Sequence, residues 1–187
     1  AHILKRDGFS IRIKQTFEEK YVKDVGMLLL GKDEKLDDNQ LARADKLKTI
    51  GYLGDSKDQL NREICNEKGI VLFDDKKGKK RNNEFIPRRM ADFINKGDTY
   101  MSRNFPNLLL PKIEKAHRLL HIHRNVPGVM AQINQVFAEN RINIVAQFLM
   151  TKGTIGYAVT DVDTQYDKQL LKQLRQIENT IKFRVLY

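Results

Sequence analysis

The chain has 187 residues, of which 41% are hydrophobic, a net charge of +10 and a single cysteine. This size allows one domain or two small ones with real hydrophobic cores. The lone Cys65 excludes an internal disulfide and a cysteine-based metal site, and the absence of an apolar run of about eighteen residues argues against a membrane-spanning helix.

Short strand patterns alternate with helical patterns in the first seventy-odd residues. Because VGMLLLG (25–31) is a compact apolar run and is followed by apolar residues at helical spacing, the sequence predicts a strand and then a helix. A strand at 50–53, a helix at 58–67 and the strand GIVLF (69–73) follow in the same rhythm. The βαβαβ order predicts a parallel sheet.

A charged loop then interrupts this rhythm. It contains the dense basic run Lys76 to Arg81, which carries no aromatic residue to stack on bases, so a solvated loop is favoured over a nucleic-acid site. The next pattern, PRRMADFINKG (87–97), predicts a helix that begins near its proline and ends at its glycine. Residues 98–116 contain two prolines and little periodicity, and they are predicted to be an extended linker.

The last seventy residues predict a ferredoxin-like βαββαβ domain. Two amphipathic helices, at 126–140 and 166–178, separate strands at 118–123, 142–150, 155–162 and 181–187. Strand alternation predicts that Leu120 and Ile122 meet the helices, while His121 and His123 lie on the opposite face. Asn143 and Gln147 are expected on that same uncovered face.

The stretch HIHRNVPG places polar groups beside the predicted start of a helix. With Pro127 in the first turn, free backbone N–H groups there would attract a carboxylate, and Asn125 can both donate and accept hydrogen bonds. A small zwitterionic amino acid fits this mixture, and a capping role without any ligand fits the same residues. A metal site formed by His117, His121 and His123 is disfavoured because no carboxylate stands nearby.

The segment from Arg118 onward resembles the C-terminal ACT domain of bacterial D-3-phosphoglycerate dehydrogenases. The motifs that carry the resemblance are H-I-H-x-N-x-P-G-V, F-A-E, N-I-x-A-Q, G-Y-x-V-x-D and the final L-Y. The resemblance implies that L-serine binds between two ACT domains paired edge to edge, held by His123 and Asn125 of one chain and Asn143 of the other. Self-association into a homodimer or homotetramer is implied in the same way.

Residues 1–73 resemble, more weakly, the first part of the same family's substrate-binding domain. The interpretation is therefore a truncated, flavodoxin-like domain at 1–97, interrupted near 74–86, followed by the linker and an ACT domain at 117–187. Where the family has a nucleotide-binding domain, this chain has about a dozen residues, and it contains no G-x-G-x-x-G. No catalytic, NAD-binding or metal residues are assigned, although NAD is expected for a full-length family member.

The overall interpretation is an α/β chain of the phosphoglycerate-dehydrogenase type whose own residues bind L-serine as an allosteric effector and mediate self-association. The alternative is a stand-alone amino-acid-binding ACT protein, and the sequence leaves open whether the chain is an enzyme. A cytoplasmic location is expected because the N-terminus lacks a signal-peptide layout, and neither a nucleic-acid nor a membrane partner is expected. One departure from the family is Arg141, found where glycine is frequent, and Asn140 is expected to adopt the left-handed turn there.

Overall fold

The computed structural model describes residues 2–14, 20–54, 60–75, 84–112, 116–163 and 166–186. The chain divides into two compact units, Ala1–Asn104 and Phe105–Tyr187. This division falls inside the segment 98–116 that the sequence predicts as a linker. Buried residues lie on both sides of it, among them Thr99 and Asn104 in the first unit and Phe105 and Leu108 in the second.

The first unit is built on a three-stranded parallel sheet in the order β1-β2-β3, as the sequence predicts. Its elements in chain order are α1 His2–Arg6, α2 Lys20–Asp24, β1 Met27–Leu30, α3 Asp38–Ala42, β2 Thr49–Tyr52, α4 Arg62–Glu67, β3 Val71–Asp74 and α5 Phe85–Lys96. Part of the helix predicted at 58–67 and the basic run at 76–81 lie outside the described residues.

Helices cover both faces of this sheet. Residues of α3, α4 and the loops beside them share a core with β2 and β3, including Leu41, Cys65, Ile50 and Leu72. On the other face α5 lies so close to β2 that a Cβ added to Gly51 would stand 2.3 Å from Met90 Sδ. The glycine therefore permits this helix to pack on the central strand.

The apolar spacing that predicts the helix after β1 proved misleading about its length. Helix α3 ends at Ala42, yet Ala44 and Leu47 are fully buried beyond it. Asp37 and Gln40 form a capping box at the start of α3, and the turn after Arg43 carries the remaining apolar side chains into the same core. Apolar residues at helical spacing are therefore buried beyond the end of the helix, without being helical themselves.

The second unit has the βαββαβ order predicted from the sequence. Its elements are β4 His117–Arg124, α6 Val129–Glu139, β5 Ile144–Lys152, β6 Ile155–Val162, α7 Lys168–Gln176 and β7 Thr180–Leu186. The strands form an antiparallel sheet in the order β5-β6-β4-β7. Among the described residues, no helix in either unit is long and apolar enough to cross a membrane.

Both faces of the central strands β4 and β6 of this second sheet are covered. The helix-facing core contains Leu119, Ala158 and Val162 with the inward residues of α6 and α7. On the opposite face the segment 105–112 lies against the sheet, since Phe105 contacts Tyr157 edge to face and Arg118 Nη1 donates to the Pro111 carbonyl. Leu120 and Ile122 are consequently buried on the face away from the helices.

A buried ion pair fixes the edge of this second core. Arg118 is fully buried, and its Nε and Nη2 each donate to one carboxylate oxygen of Asp161 at 2.7 Å. The two residues are also directly paired across β4 and β6. Because the geometry is bidentate, each charge compensates the other where little water can reach.

Replacing Arg118 by Met is expected to destabilise the second unit by about 3–5 kcal/mol, because it leaves the Asp161 carboxylate buried without its cation. The double variant Arg118→Met/Asp161→Leu should recover most of this loss, since the uncompensated charge is then gone. Urea denaturation of the wild type and of both variants measures the effect. A double variant as unstable as the single one would contradict this account.

Candidate functional site

His123 and Asn125 lie together at one end of the second sheet. His123 is near the end of β4 and pairs with Gly156 on β6, and Asn125 follows immediately in an exposed loop. The backbone N–H of Asn125 donates to the Thr154 carbonyl at 2.8 Å, and its side-chain Nδ2 donates to the Gly153 carbonyl at 3.0 Å. The turn between β5 and β6 therefore positions Asn125.

The imidazole of His123 lies directly against the backbone of Gly156. A Cβ added to Gly156 would stand 2.1 Å from Cε1 and 2.5 Å from Nε2 of the ring, so any other residue at 156 would displace the imidazole. Gly156 is thus a site residue that the sequence analysis missed. The available signal was a glycine inside a predicted strand, which indicates a close approach by another group.

The hydrogen bond of His123 determines what its free nitrogen can do. Nδ1 lies 2.8 Å from the Arg124 carbonyl, which can only accept, so Nδ1 carries the proton. Burial lowers the pKa of His123, although the Arg124 carbonyl opposes the shift, and the ring is neutral at pH 7. Its buried Nε2 is therefore a hydrogen-bond acceptor, and it has no partner among the described residues.

His121 lies beside His123 on the same face of β4. The two ring centroids are 6.1 Å apart, and His121 Nε2 is 2.7 Å from the hydroxyl of Thr180 on β7. Burial, together with the neighbouring His123, lowers the pKa of His121 from 6.5 to about 4. The Thr180 contact and the packing against Phe183 make His121 part of the protein interior.

These positions correct the predicted orientation of β4. Leu119 belongs to the helix-facing core and alternates with Leu120, so His121 and His123 face the helices and not the opposite side. On β5 the register shifts between Ile144 and Ala146, and Gln147 then reaches Asn134 on α6. Gln147 therefore lies on the helix side, contrary to the prediction.

Two further expectations about the loops were wrong. Helix α6 begins at Val129, after Gly128 with φ of +90°, so Pro127 lies in the turn before the helix and not in its first turn. The left-handed residue after α6 is Arg141 with φ of +54°, whereas Asn140 has φ of −90°. Asn140 instead donates from Nδ2 to the Val136 carbonyl and to Gln173 on α7.

Asn143 does not join His123 and Asn125 within one chain. It precedes β5 at the end where Ile144 pairs with Val162, and its Nδ2 lies 3.5 Å from a carboxylate oxygen of Asp163. Gly153, to which Asn125 is hydrogen-bonded, follows the opposite end of β5, roughly 30 Å away for nine residues at about 3.3 Å each. Asn143 is exposed there. The structure thus brings two of the three predicted residues together.

Among the residues that the structure describes, no group of three or more His, Cys, Asp or Glu side chains is placed to hold a metal ion. His117 packs its ring edge to face on Tyr166, with centroids 5.1 Å apart.

Substitution of Gly156 by Ala is expected to push the His123 ring out of its seat, because the new Cβ would overlap Cε1. The Nδ1–H bond to Arg124 should be lost, and the pKa of His123 should rise toward the ordinary histidine value as the ring gains solvent. NMR titration of the imidazole resonances measures both. Gly26→Ala is the matched control, since a Cβ at Gly26 would have no described residue within 4 Å; an unmoved His123 pKa in Gly156→Ala would contradict the contact.

The depressed pKa of His121 predicts a pH dependence of stability. In the window from pH 6.5 down to about 4 the unfolded chain binds a proton at this residue and the folded chain does not, so stability falls as the pH falls. The loss from His121 amounts to up to about 3 kcal/mol. Denaturation midpoints of the second unit measured across this window should fall less steeply in His121→Phe, and equal slopes would refute the assignment.

Comparison with known proteins identifies the second unit. Residues 119–182 match the family model of the AHAS small subunit-like ACT domain. The C-terminal part of the chain is 46% identical over 102 residues to D-3-phosphoglycerate dehydrogenase of Haemophilus influenzae, and 38% identical over 104 residues to that of Escherichia coli K12. Each match covers 54% of this chain and 25% of the relative, so the matched part spans about a quarter of these relatives.

Among solved structures, the ACT domain from GTP pyrophosphokinase of Chlorobium tepidum aligns with a TM-score of 0.35 and 18% identity. The alignment covers 38% of this chain and 96% of that one. The family model and the curated relatives confirm the resemblance seen in the sequence motifs. Residues 119–182 therefore form an ACT domain, and the C-terminal half of the chain is related to the D-3-phosphoglycerate dehydrogenases.

Proposed function

We propose that the ACT domain binds L-serine as an effector between two paired copies of the chain, with His123 and Asn125 supplied by one copy and Asn143 by the other. The observation that carries this proposal is the buried Nε2 of His123, which has no hydrogen-bond partner among the described residues and lies beside the exposed side chain of Asn125. A buried polar atom without a partner is costly, and a bound ligand would satisfy it.

The chemistry of the site suits a small zwitterion. With its Nδ1–H turned to the Arg124 carbonyl, neutral His123 offers a lone pair on Nε2, which accepts from an ammonium or hydroxyl group. The start of α6, four residues after Asn125, has no side-chain cap within the described part of the chain, so its backbone N–H groups favour a carboxylate. Acceptor and donors thus lie at one end of the sheet for the two charged ends of an amino acid.

The edge strand β5 supports pairing of two chains. Within the described part of the chain its neighbouring strand is β6, on one side, and three of its apolar side chains are exposed: Val145 by 55%, Leu149 by 46% and Met150 by 39%. An edge of this kind pairs readily with another strand. Antiparallel pairing of two β5 strands about a two-fold axis would bring Asn143 of one chain toward Gly153 and Asn125 of the other.

We also propose an enzymatic activity for the whole protein to which this chain belongs. The relatives are named D-3-phosphoglycerate dehydrogenases, and we place this chain in a protein of that kind, which oxidises 3-phosphoglycerate with NAD at the first step of L-serine synthesis. Effector binding and self-association are the parts of that function that we assign to residues of this chain. L-serine is then the end product that regulates the enzyme.

Alanine substitutions of His123, Asn125 and Asn143 are each expected to weaken serine binding by roughly ten- to a hundredfold, since each removes a hydrogen bond to a charged ligand group. His121→Ala should weaken it less, because that ring is engaged by Thr180. Mixed pairs of a His123→Ala chain with an Asn143→Ala chain should retain one intact site of two. Calorimetric titration with serine measures all of these affinities.

Asn95→Ala provides a matched control, because Asn95 is an exposed amide on α5 of the first unit. Parallel titrations with glycine, alanine, threonine and valine test which small amino acid is the effector. Serine should also tighten association in light scattering, by linkage. Failure of the wild type to bind any of these amino acids, or undiminished binding by Asn125→Ala, would overturn the proposal.

A further inference from the structure

We propose that the β5–β6 hairpin, residues 152–157, couples the effector site to the segment 105–112, so that serine binding makes the protein hold this segment more firmly. The inference rests on the proposed function, because it concerns the regulation of the same site. It follows from contacts that the hairpin makes with both features.

On its effector side, the hairpin contacts Asn125 and His123, the two residues of this chain that would touch the ligand. Gly153 and Thr154 accept the two hydrogen bonds of Asn125, and Gly156 supports the ring of His123. A ligand that draws Asn125 and His123 into fixed positions therefore also fixes the carbonyl groups and backbone of this turn.

The other side of the hairpin holds the beginning of the segment 105–112. Lys152 Nζ donates to the Phe105 carbonyl at 3.1 Å. The Phe105 ring contacts Tyr157 edge to face, with centroids 6.0 Å apart at an angle of 81°, and both side chains are fully buried. Lys152 adjoins Gly153 in the chain, and Tyr157 adjoins Gly156, so each contact is one residue from an effector-side contact.

The hairpin is short enough to transmit a displacement. Lys152 pairs with Ile155 and Met150 pairs with Tyr157, so the turn between the two strands is Gly153-Thr154. The far end of the segment is fixed separately, because Pro111 accepts from Arg118, which is itself held by Asp161. The Phe105 end is the part of the segment that the hairpin contacts, through Lys152 and Tyr157.

The Phe105 end is also the end that continues into the first unit. Phe105 follows Asn104, whose Oδ1 accepts from the Leu72 N–H at 2.8 Å and whose Nδ2 donates to the Ile70 carbonyl at 2.8 Å. The residue before Phe105 is therefore hydrogen-bonded to β3 and to the residue that precedes this strand.

Hydrogen exchange of the full chain, with and without L-serine, tests the coupling. Serine is expected to slow exchange of the amides in residues 105–112 by about threefold or more in the wild type. In Lys152→Met the serine-dependent change should largely disappear. By reciprocity, Lys152→Met should also weaken serine affinity by about three- to tenfold, although Lys152 is not proposed to contact the ligand.

Lys172→Met, which removes an exposed lysine on α7, is the matched control and should behave as the wild type. Phe105→Leu, which keeps an apolar side chain but loses the ring contact, should act in the same direction as Lys152→Met. Serine binding with unchanged exchange at 105–112, or a full serine response in both variants, would overturn the coupling alone. Absence of serine binding by the wild type would overturn the proposed function and the coupling with it.

Discussion

The close contact between the His123 ring and Gly156 is the constraint on which the candidate site depends. The ring can lie against β6 because residue 156 has no side chain, and this seat directs Nδ1 to the Arg124 carbonyl. The same contact keeps the ring buried, which lowers its pKa and leaves Nε2 as an acceptor. Exchange of one hydrogen atom for a methyl group at position 156 would therefore change the position, protonation and hydrogen bonding of a residue on another strand.

The order of elements could be predicted from the sequence, but the orientation of β4 could not. The apolar stripes of α6 and α7 and the final βαββαβ order stand out because each helix is amphipathic. In β4, Leu119 and Leu120 are consecutive apolar residues, because the helices cover one face of the sheet and residues 105–112 cover the other. A strand buried on both faces carries no alternation that would identify the helix side. On β5 the bulge after Ile144 shifts the alternation of side chains by one residue, so Gln147 faces the helices.

Local rules failed where tertiary contacts overrode them. Helix α3 stops at Ala42 although apolar residues continue at helical spacing, because a turn can deliver Ala44 and Leu47 to the same core. Arg141 adopts a left-handed conformation that favours glycine, while the more suitable Asn140 is engaged in hydrogen bonds to Val136 and Gln173. His123, Asn125 and Asn143 were proposed from resemblance to a family, and the burial of His123 depends on partners distant in sequence.

The edge strands β3 and β5 differ in how much of them the chain covers, and this difference concerns the role of β5. At β3, an edge strand of the first sheet, the chain covers its own backbone: Asn104 accepts from the Leu72 N–H, and the Leu72 carbonyl accepts from the Arg103 N–H at 2.8 Å. At β5 the described part of the chain provides one neighbouring strand, and apolar side chains stay exposed. Exposed apolar edge strands favour association with another chain. Asn143 lies at one end of β5, far from His123 and Asn125 of the same chain. Pairing through β5 would cover the edge and complete the site in one step, which is why effector binding and self-association are expected to be a single property of this domain.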